Sequence, residues 1–197
     1  MKKFLRRALY VMLAVVVVWI ILTIWAKAEG GTKQWSYGNN SAPQKILIVY
    51  DPDPFYNLDE QVCKAFGEPL AIKGVQVTVA TVAAATKMES RRFNGYVFCA
   101  NTYNWQPDWA VSRFIKNHQG LKDKPAIAIT LGAGSTAASQ KALEKLILKK
   151  EAHLAVSCSF WLLKPNDESK MNESNVKVAT VMAKEWAVKM IPYLKHK

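Results

Sequence analysis

Lys45-Ile-Leu-Ile-Val-Tyr50, Gly95-Tyr-Val-Phe-Cys-Ala100 and Pro125-Ala-Ile-Ala-Ile-Thr-Leu131 are nearly continuous apolar runs of strand length. A strand with one wet face alternates apolar and polar side chains. A strand buried on both faces does not, which is the condition of parallel strands covered by helices. His153-Leu-Ala-Val-Ser-Cys-Ser159 reads the same way, and Val75-Gln-Val-Thr-Val-Ala-Thr-Val82 adds one more strand. Helical patterns fill the gaps. One runs from Leu58 to about Phe66, one from Pro107 to His118 with Ala110, Val111, Phe114 and Ile115 on one face, and one from Ser135 to Lys150. A short helical or irregular piece ends near Phe93. The closing helix, Glu173 to Leu194, carries Val178, Met182, Trp186 and Met190 at i, i+4 spacing, with Asn172 or Ser174 as its cap. Strand and helix alternating five times predict a doubly wound α/β domain. In such sheets ligands sit off the carboxyl ends of the strands, which directs attention to Asp51–Asn57, Ala100–Gln106 and Gly132–Thr136.

Upstream of the first strand lies a different kind of sequence. The basic leader Met1-Lys-Lys-Phe-Leu-Arg-Arg7 runs into Ala8–Ala26, ALYVMLAVVVVWIILTIWA, which holds no charged side chain. Wound at about 1.5 Å per residue, it matches the roughly 30 Å of hydrocarbon in a bilayer, and a helix satisfies its own backbone there. Lys2, Lys3, Arg6 and Arg7 outweigh Lys27 on the far side. The bias of basic residues toward the cytoplasm then predicts a single-pass anchor in the cell membrane with the domain outside the cytoplasm. Trp25 stands where an interfacial anchor would. The competing reading is a secretory signal cleaved after Ala28, because Ala26-Lys-Ala28 fits the small-x-small pattern. The apolar run exceeds the usual signal core of about 7–15 residues, which favours the uncleaved anchor. Residues 27–44 are polar and rich in glycine and asparagine, and read as a flexible linker to a domain spanning 45–197.

Composition narrows the classes. The net charge is +12, of which the leader and Lys27 supply five, leaving +7 on the exported part. That excess suits a solvated surface, anionic lipid or an acidic partner. No helical face is densely basic and no basic–aromatic stripe occurs, so nucleic acid is not an expected partner. Cys63, Cys99 and Cys158 lack CxxC spacing, and Cys99 and Cys158 sit inside strand-like runs, as inert core thiols do. His118, His153 and His196 are far apart with no ligand spacing around them, so no metal site is assigned. Asp51 and Asp53 at the end of the first strand read as turn aspartates beside proline, with cation binding or acid–base work as the alternative. Tyr50, Ser135 and Ser139 have no His–Asp partner at a known spacing, and no Gly-x-Ser-x-Gly elbow occurs, which argues against a hydrolase.

Val97-Phe-Cys-Ala-Asn-Thr-Tyr-Asn-Trp-Gln-Pro-Asp-Trp109 and Ser112-Arg-Phe-Ile-Lys-Asn-His-Gln-Gly-Leu-Lys-Asp-Lys-Pro-Ala-Ile-Ala-Ile-Thr-Leu-Gly132 resemble the flavodoxin-like family. There a strand ends in a threonine-containing aromatic loop, a helix follows, and a lysine-flanked turn leads to a strand that stops at glycine. The likeness covers about residues 45–194 and implies a five-stranded parallel sheet of order 2-1-3-4-5. It also implies FMN as cofactor, with Thr102, Tyr103, Asn104 and Trp105 flanking the flavin ring and Gly132, Ala133 and Gly134 close beside it. The family's phosphate loop, approximately Ser-x-Thr-Gly-Asn-Thr, corresponds here to Asp51-Pro-Asp-Pro-Phe-Tyr56. Aspartates replace hydroxyls, proline replaces glycine, and prolines donate no amide to a phosphate.

Two functions follow. One is a membrane-anchored flavodoxin-like redox protein that binds FMN and passes electrons at the membrane surface to a redox partner or quinone. The other is a degenerate domain without FMN that acts as an extracytoplasmic binding or scaffold module. Either way the chain should resist alkaline carbonate washing and keep its own N-terminus. Recovery of a soluble chain beginning at Glu29 would contradict the anchor. A C-terminal domain protected from external protease in intact cells would contradict the orientation.

Overall fold

Each interior strand feeds two cores, and the element order explains how. The structure, a computed structural model, describes residues 2–26 and 28–194; Lys27 and His196 of the sequence reading lie outside the described residues. In chain order the elements are α1 (Lys2–Ala26), β1 (Gln34–Tyr37), β2 (Lys45–Tyr50), α2 (Leu58–Ile72), β3 (Gln76–Thr81) and the single turn α3 (Val82–Ala85). They continue with β4 (Gly95–Tyr103), the two-residue β5 (Gln106–Pro107), α4 (Trp109–Asn117), β6 (Pro125–Gly132), α5 (Ala137–Lys149), β7 (His153–Trp161) and α6 (Asn175–Leu194).

The five strands expected from the sequence lie parallel as β3-β2-β4-β6-β7, which is the predicted order 2-1-3-4-5. Side chains alternate across the pleat. Ile46, Ile48 and Tyr50 of β2 enter the core under α2 and α6, while Leu47 and Val49 enter the core under α3, α4 and α5. Asp108 starts α4 by accepting the Val111 amide at 2.8 Å, a side-chain cap. The chain covers α4 with Ala110, Val111, Phe114 and Ile115, the expected apolar face.

Several boundaries differ from expectation for identifiable reasons. Helix α2 runs six residues beyond Phe66, through Pro69 to Ile72. Gly67 allows it to lie close on β3, since a Cβ there would stand 3.2 Å from Val77 Cγ1 and 3.3 Å from Val79 Cγ2. The buried stripe of α6 centres on Ala179, Ala183 and Ala187 rather than on Met182 and Trp186. Small residues let α6 approach α2, and Trp186 flanks the seam with its ring edge-on to Phe66 at 5.5 Å.

The larger correction concerns the linker. Residues 34–37, expected within a flexible stalk, form β1, which pairs antiparallel with β3 from Gln34↔Ala80 to Tyr37↔Val77. A four-residue strand carries too little pattern to be read locally. It is held by its ladder and by Lys64, whose ammonium sits 3.7 Å from the centre of the Trp35 ring. Helix α1 is continuous through the basic leader, its side chains from Phe4 to Leu22 are exposed, and it is long and apolar enough to cross a membrane from Lys3 to Trp25.

Ile48 is fully buried in the centre of the sheet. Ile48→Asp places an unpaired carboxylate there at a cost of several kcal/mol against a total of about 5–15. The variant is expected to be insoluble or to lose its cooperative melt, and an unchanged melting temperature would contradict this core.

Candidate functional site

Parallel strands deliver all their following loops to one end of the sheet, and here the segments at the ends of four of them enclose a pocket of about 190 Å³. The loop after β2 supplies Asp53, Phe55 and Tyr56. The end of β4 supplies Asn101, Thr102 and Tyr103. The end of β6 supplies Leu131, Gly132 and Ala133, and the segment after β7 closes the wall with Leu162 and Leu163. That last segment is tied down by backbone bonds from Leu162 to Gly132 and from Leu163 to Ala133, at 2.9 and 3.0 Å.

The loop after β2 is organised by carboxylates. Asp53 Oδ1 accepts the amides of Phe55 at 2.7 Å and Tyr56 at 3.0 Å. Asp59, in the first turn of α2, accepts the amide of Asp53 at 2.6 Å and that of Glu60 at 2.7 Å. Asp51 Oδ1 accepts the amide of Gly30 at 2.9 Å. Pro52 and Pro54 have no amide to offer. The amides of Asp53, Phe55 and Tyr56 in this loop thus already face the chain's own acid groups. Asn101 braces the cluster, donating to Asp59 Oδ2 at 2.9 Å and to the Asp51 carbonyl at 3.0 Å. Asp53 therefore acts as a turn aspartate, as expected, whereas Asp51 does not: it is buried, and its carboxylate holds the Gly30 amide 21 residues upstream.

Burial pushes the carboxyl groups of both Asp51 and Asp59 up to about 6. For Asp59, hydrogen bonds from Asn101 and the Asp53 amide oppose the rise, and the Asp53 charge adds to it. For Asp51, the Gly30 amide opposes it, and Glu29 and Asp59 add to it. Their neutral forms are thus favoured more in the folded chain than in the unfolded one.

The residues implicated by resemblance separate into two groups. Thr102, Tyr103, Gly132 and Ala133 line the pocket. Tyr103 is committed, its hydroxyl donating to Asp53 Oδ2 at 2.6 Å. Thr102 Oγ1 is buried and has no hydrogen-bond partner among the described residues. Gly132 is needed for packing: a Cβ there would stand 2.9 Å from Thr136 Cγ2 and 3.2 Å from Thr102 Cβ. Asn104 and Trp105 lie outside the lining. They form the two-residue turn between β4 and β5 with φ of 50° and 59°, and Trp105 projects outward. Gly134 faces a separate groove with Trp161 and Lys164. The sequence reading missed Leu162 and Leu163, although the carboxyl-end rule applied to the fifth strand points at them. It also missed Asp59, whose one signal is an acidic residue in a first helical turn. Among the described residues no three His, Cys, Asp or Glu side chains converge as metal ligands would. Cys63 and Cys99 are buried free thiols and Cys158 is half-buried. His118 packs on Phe114 and meets the Tyr96 hydroxyl at 3.0 Å, a core role.

No family model matches this chain, and no curated protein matches it in sequence. Solved structures do resemble it. A flavodoxin from Pseudomonas aeruginosa superposes with a TM-score of 0.59 at 13% identity, covering 78% of this chain and all of that one. The fold is flavodoxin-like. General stress protein 14 from Treponema denticola, solved in complex with FMN, gives 0.51 at 11% identity over 75% of this chain and 99% of that one. The flavodiiron protein from Giardia intestinalis gives 0.54 at 15% identity over 76% of this chain, which spans only 37% of that protein. In this chain the strand β1 pairs at the outer side of β3, and the loop after β2 carries carboxylates that accept its own amides.

The raised carboxyl groups set a pH dependence. A folded value near 6 against an unfolded value of about 3.9 gives stability that is full below pH 4 and is lost as pH rises through 6. Asp51→Asn keeps an oxygen for the Gly30 amide and removes the titration. Its melting temperature is expected to fall less than the parent's between pH 4 and 6.5, and parallel profiles would contradict the assignment.

Proposed function

We propose that this chain is a membrane-anchored binding module on a flavodoxin-like fold, whose pocket takes a phosphate-free and largely apolar ligand rather than FMN. The observation that carries this reading is the occupation of the loop amides by Asp53 and Asp59. An FMN phosphate at that loop would meet carboxylates instead of donors. At an effective dielectric of about 20, one like charge at 4 Å costs about 4 kcal/mol, or nearly three powers of ten in affinity. Leu58, Leu131, Leu162 and Leu163 offer apolar walls. The helix α1 supports attachment to the cell membrane, with the domain on the extracytoplasmic side as the charge bias of the leader predicts.

A second reading keeps the redox role. Thr102, Tyr103, Gly132 and Ala133, the residues that resemblance assigns to a flavin ring, do converge on one pocket. A flavin held by its ring alone would pass electrons to a membrane quinone or redox protein, and tethering would raise the effective concentration of such a partner.

Titration of the full chain in detergent, read by quenching of flavin fluorescence, separates the readings. The parent is expected to leave FMN unquenched. Replacing Asp51 with Ser, Asp53 with Thr and Pro54 with Gly removes two charges and restores a donor, and should tighten FMN binding at least tenfold. Quenching of riboflavin as strong as that of FMN, or stronger, supports the ring-held redox reading. A parent protein purified yellow with FMN overturns the proposal.

A further inference from the structure

Strand β1 runs antiparallel to β3, so the chain coming from α1 enters the domain at the carboxyl end of the sheet, beside the pocket. Lys33 is already clamped there: its amide donates to Thr81 Oγ1 at 3.0 Å, its carbonyl accepts the Thr81 amide at 3.0 Å, and its ammonium reaches Glu60 at 3.1 Å. Only residues 26–32 separate Trp25 from that clamp, and within them Gly30 is bonded to Asp51. The Trp25 ring stands edge-on to Phe55 with centroids 5.0 Å apart. The last turn of the apolar helix and the loop after β2 are therefore at one level.

That end of the domain carries large side chains that remain more than half exposed, Phe55 even with the Trp25 ring against it. Phe55 is 53% exposed, Tyr56 57%, Trp105 66% and Leu163 72%, and they come from three different loops. Trp105 is set outward by a left-handed backbone that bulky residues rarely adopt. Aromatic rings with one polar edge are the side chains that settle at the boundary between hydrocarbon and water.

We propose that this face rests on the headgroup region of the bilayer that α1 crosses, with Phe55, Tyr56, Trp105 and Leu163 reaching into the interface, so that the pocket opens toward lipid. The occupant is the membrane surface itself: the tether ends at this face and is too short and too firmly bonded to let the domain turn it away. A ligand would then reach the pocket from the bilayer. The inference rests on α1 as a membrane span and not on the identity of the ligand.

Depth-dependent quenching tests it on the full chain reconstituted in phosphatidylcholine vesicles containing lipid with a nitroxide high on the acyl chain. A bimane label is placed in turn by Tyr56→Cys, Leu163→Cys, Lys73→Cys at the opposite end of the domain and Val17→Cys within α1. All are made on a Cys158→Ser background, since Cys63 and Cys99 are buried. Labels at 56 and 163 should be quenched several-fold more than the label at 73, and the label at 17 should be quenched as well. Quenching at 17 with 56 and 163 no different from 73 overturns the docked face while leaving the anchor intact. No quenching at 17 removes the anchor and the docked face together.

Discussion

A parallel sheet leaves no strand face for water, and most of this structure follows from covering both faces of β2, β4 and β6. Ile46, Ile48 and Tyr50 need one layer of helices, and Leu47 and Val49 need another. Every connection between neighbouring parallel strands must therefore cross a face as a helix, and every strand must end on the same side. The loops after β2, β4, β6 and β7 meet at that end because the burial problem leaves them no alternative. The pocket is a consequence of the sheet before it is a property of its own residues.

The loop that leads into α2 satisfies its amides from within: Asp53 and Asp59 accept those of Asp53, Phe55 and Tyr56 and, inside the helix, that of Glu60. A helix start presents unpaired donors and partial positive charge, and an anion there is favourable. A bound phosphate is one solution. Asp53 and Asp59 are another, supplied from within the chain. The internal solution makes the loop self-sufficient, and it leaves buried carboxyl groups whose neutral forms are favoured. The pocket beside it has largely apolar walls, among them Leu58, Leu131, Leu162 and Leu163.

The edge strand β1 links this site to the apolar helix α1. By pairing with β3 it protects an edge that would otherwise expose its hydrogen-bonding groups. The same pairing brings residues 28–33 across the loop after β2, where Gly30 meets Asp51 and Lys33 meets Glu60. The connection to α1, the protection of the edge and the bracing of the loop after β2 are one structural event.

Sequence alone determined the elements whose pattern repeats over short distances. The uncharged run Ala8–Ala26, the two-sided strands, the apolar face of α4 and the donor-poor loop Asp51–Tyr56 are all legible because neighbours one to four residues apart carry the signal. Strand order followed once these were set in sequence against a known topology. Tertiary structure alone decided which groups meet across long separations. Tyr103 and Asp53 are 50 residues apart, Lys33 and Thr81 are 48, Asn101 and Asp59 are 42, and Gly30 and Asp51 are 21. No local pattern marks Gln34–Tyr37 as a strand, sends Trp105 outward or divides Gly132 from Gly134 between two cavities. Those outcomes depend on what else is packed nearby, and packing exists only once the sheet has formed.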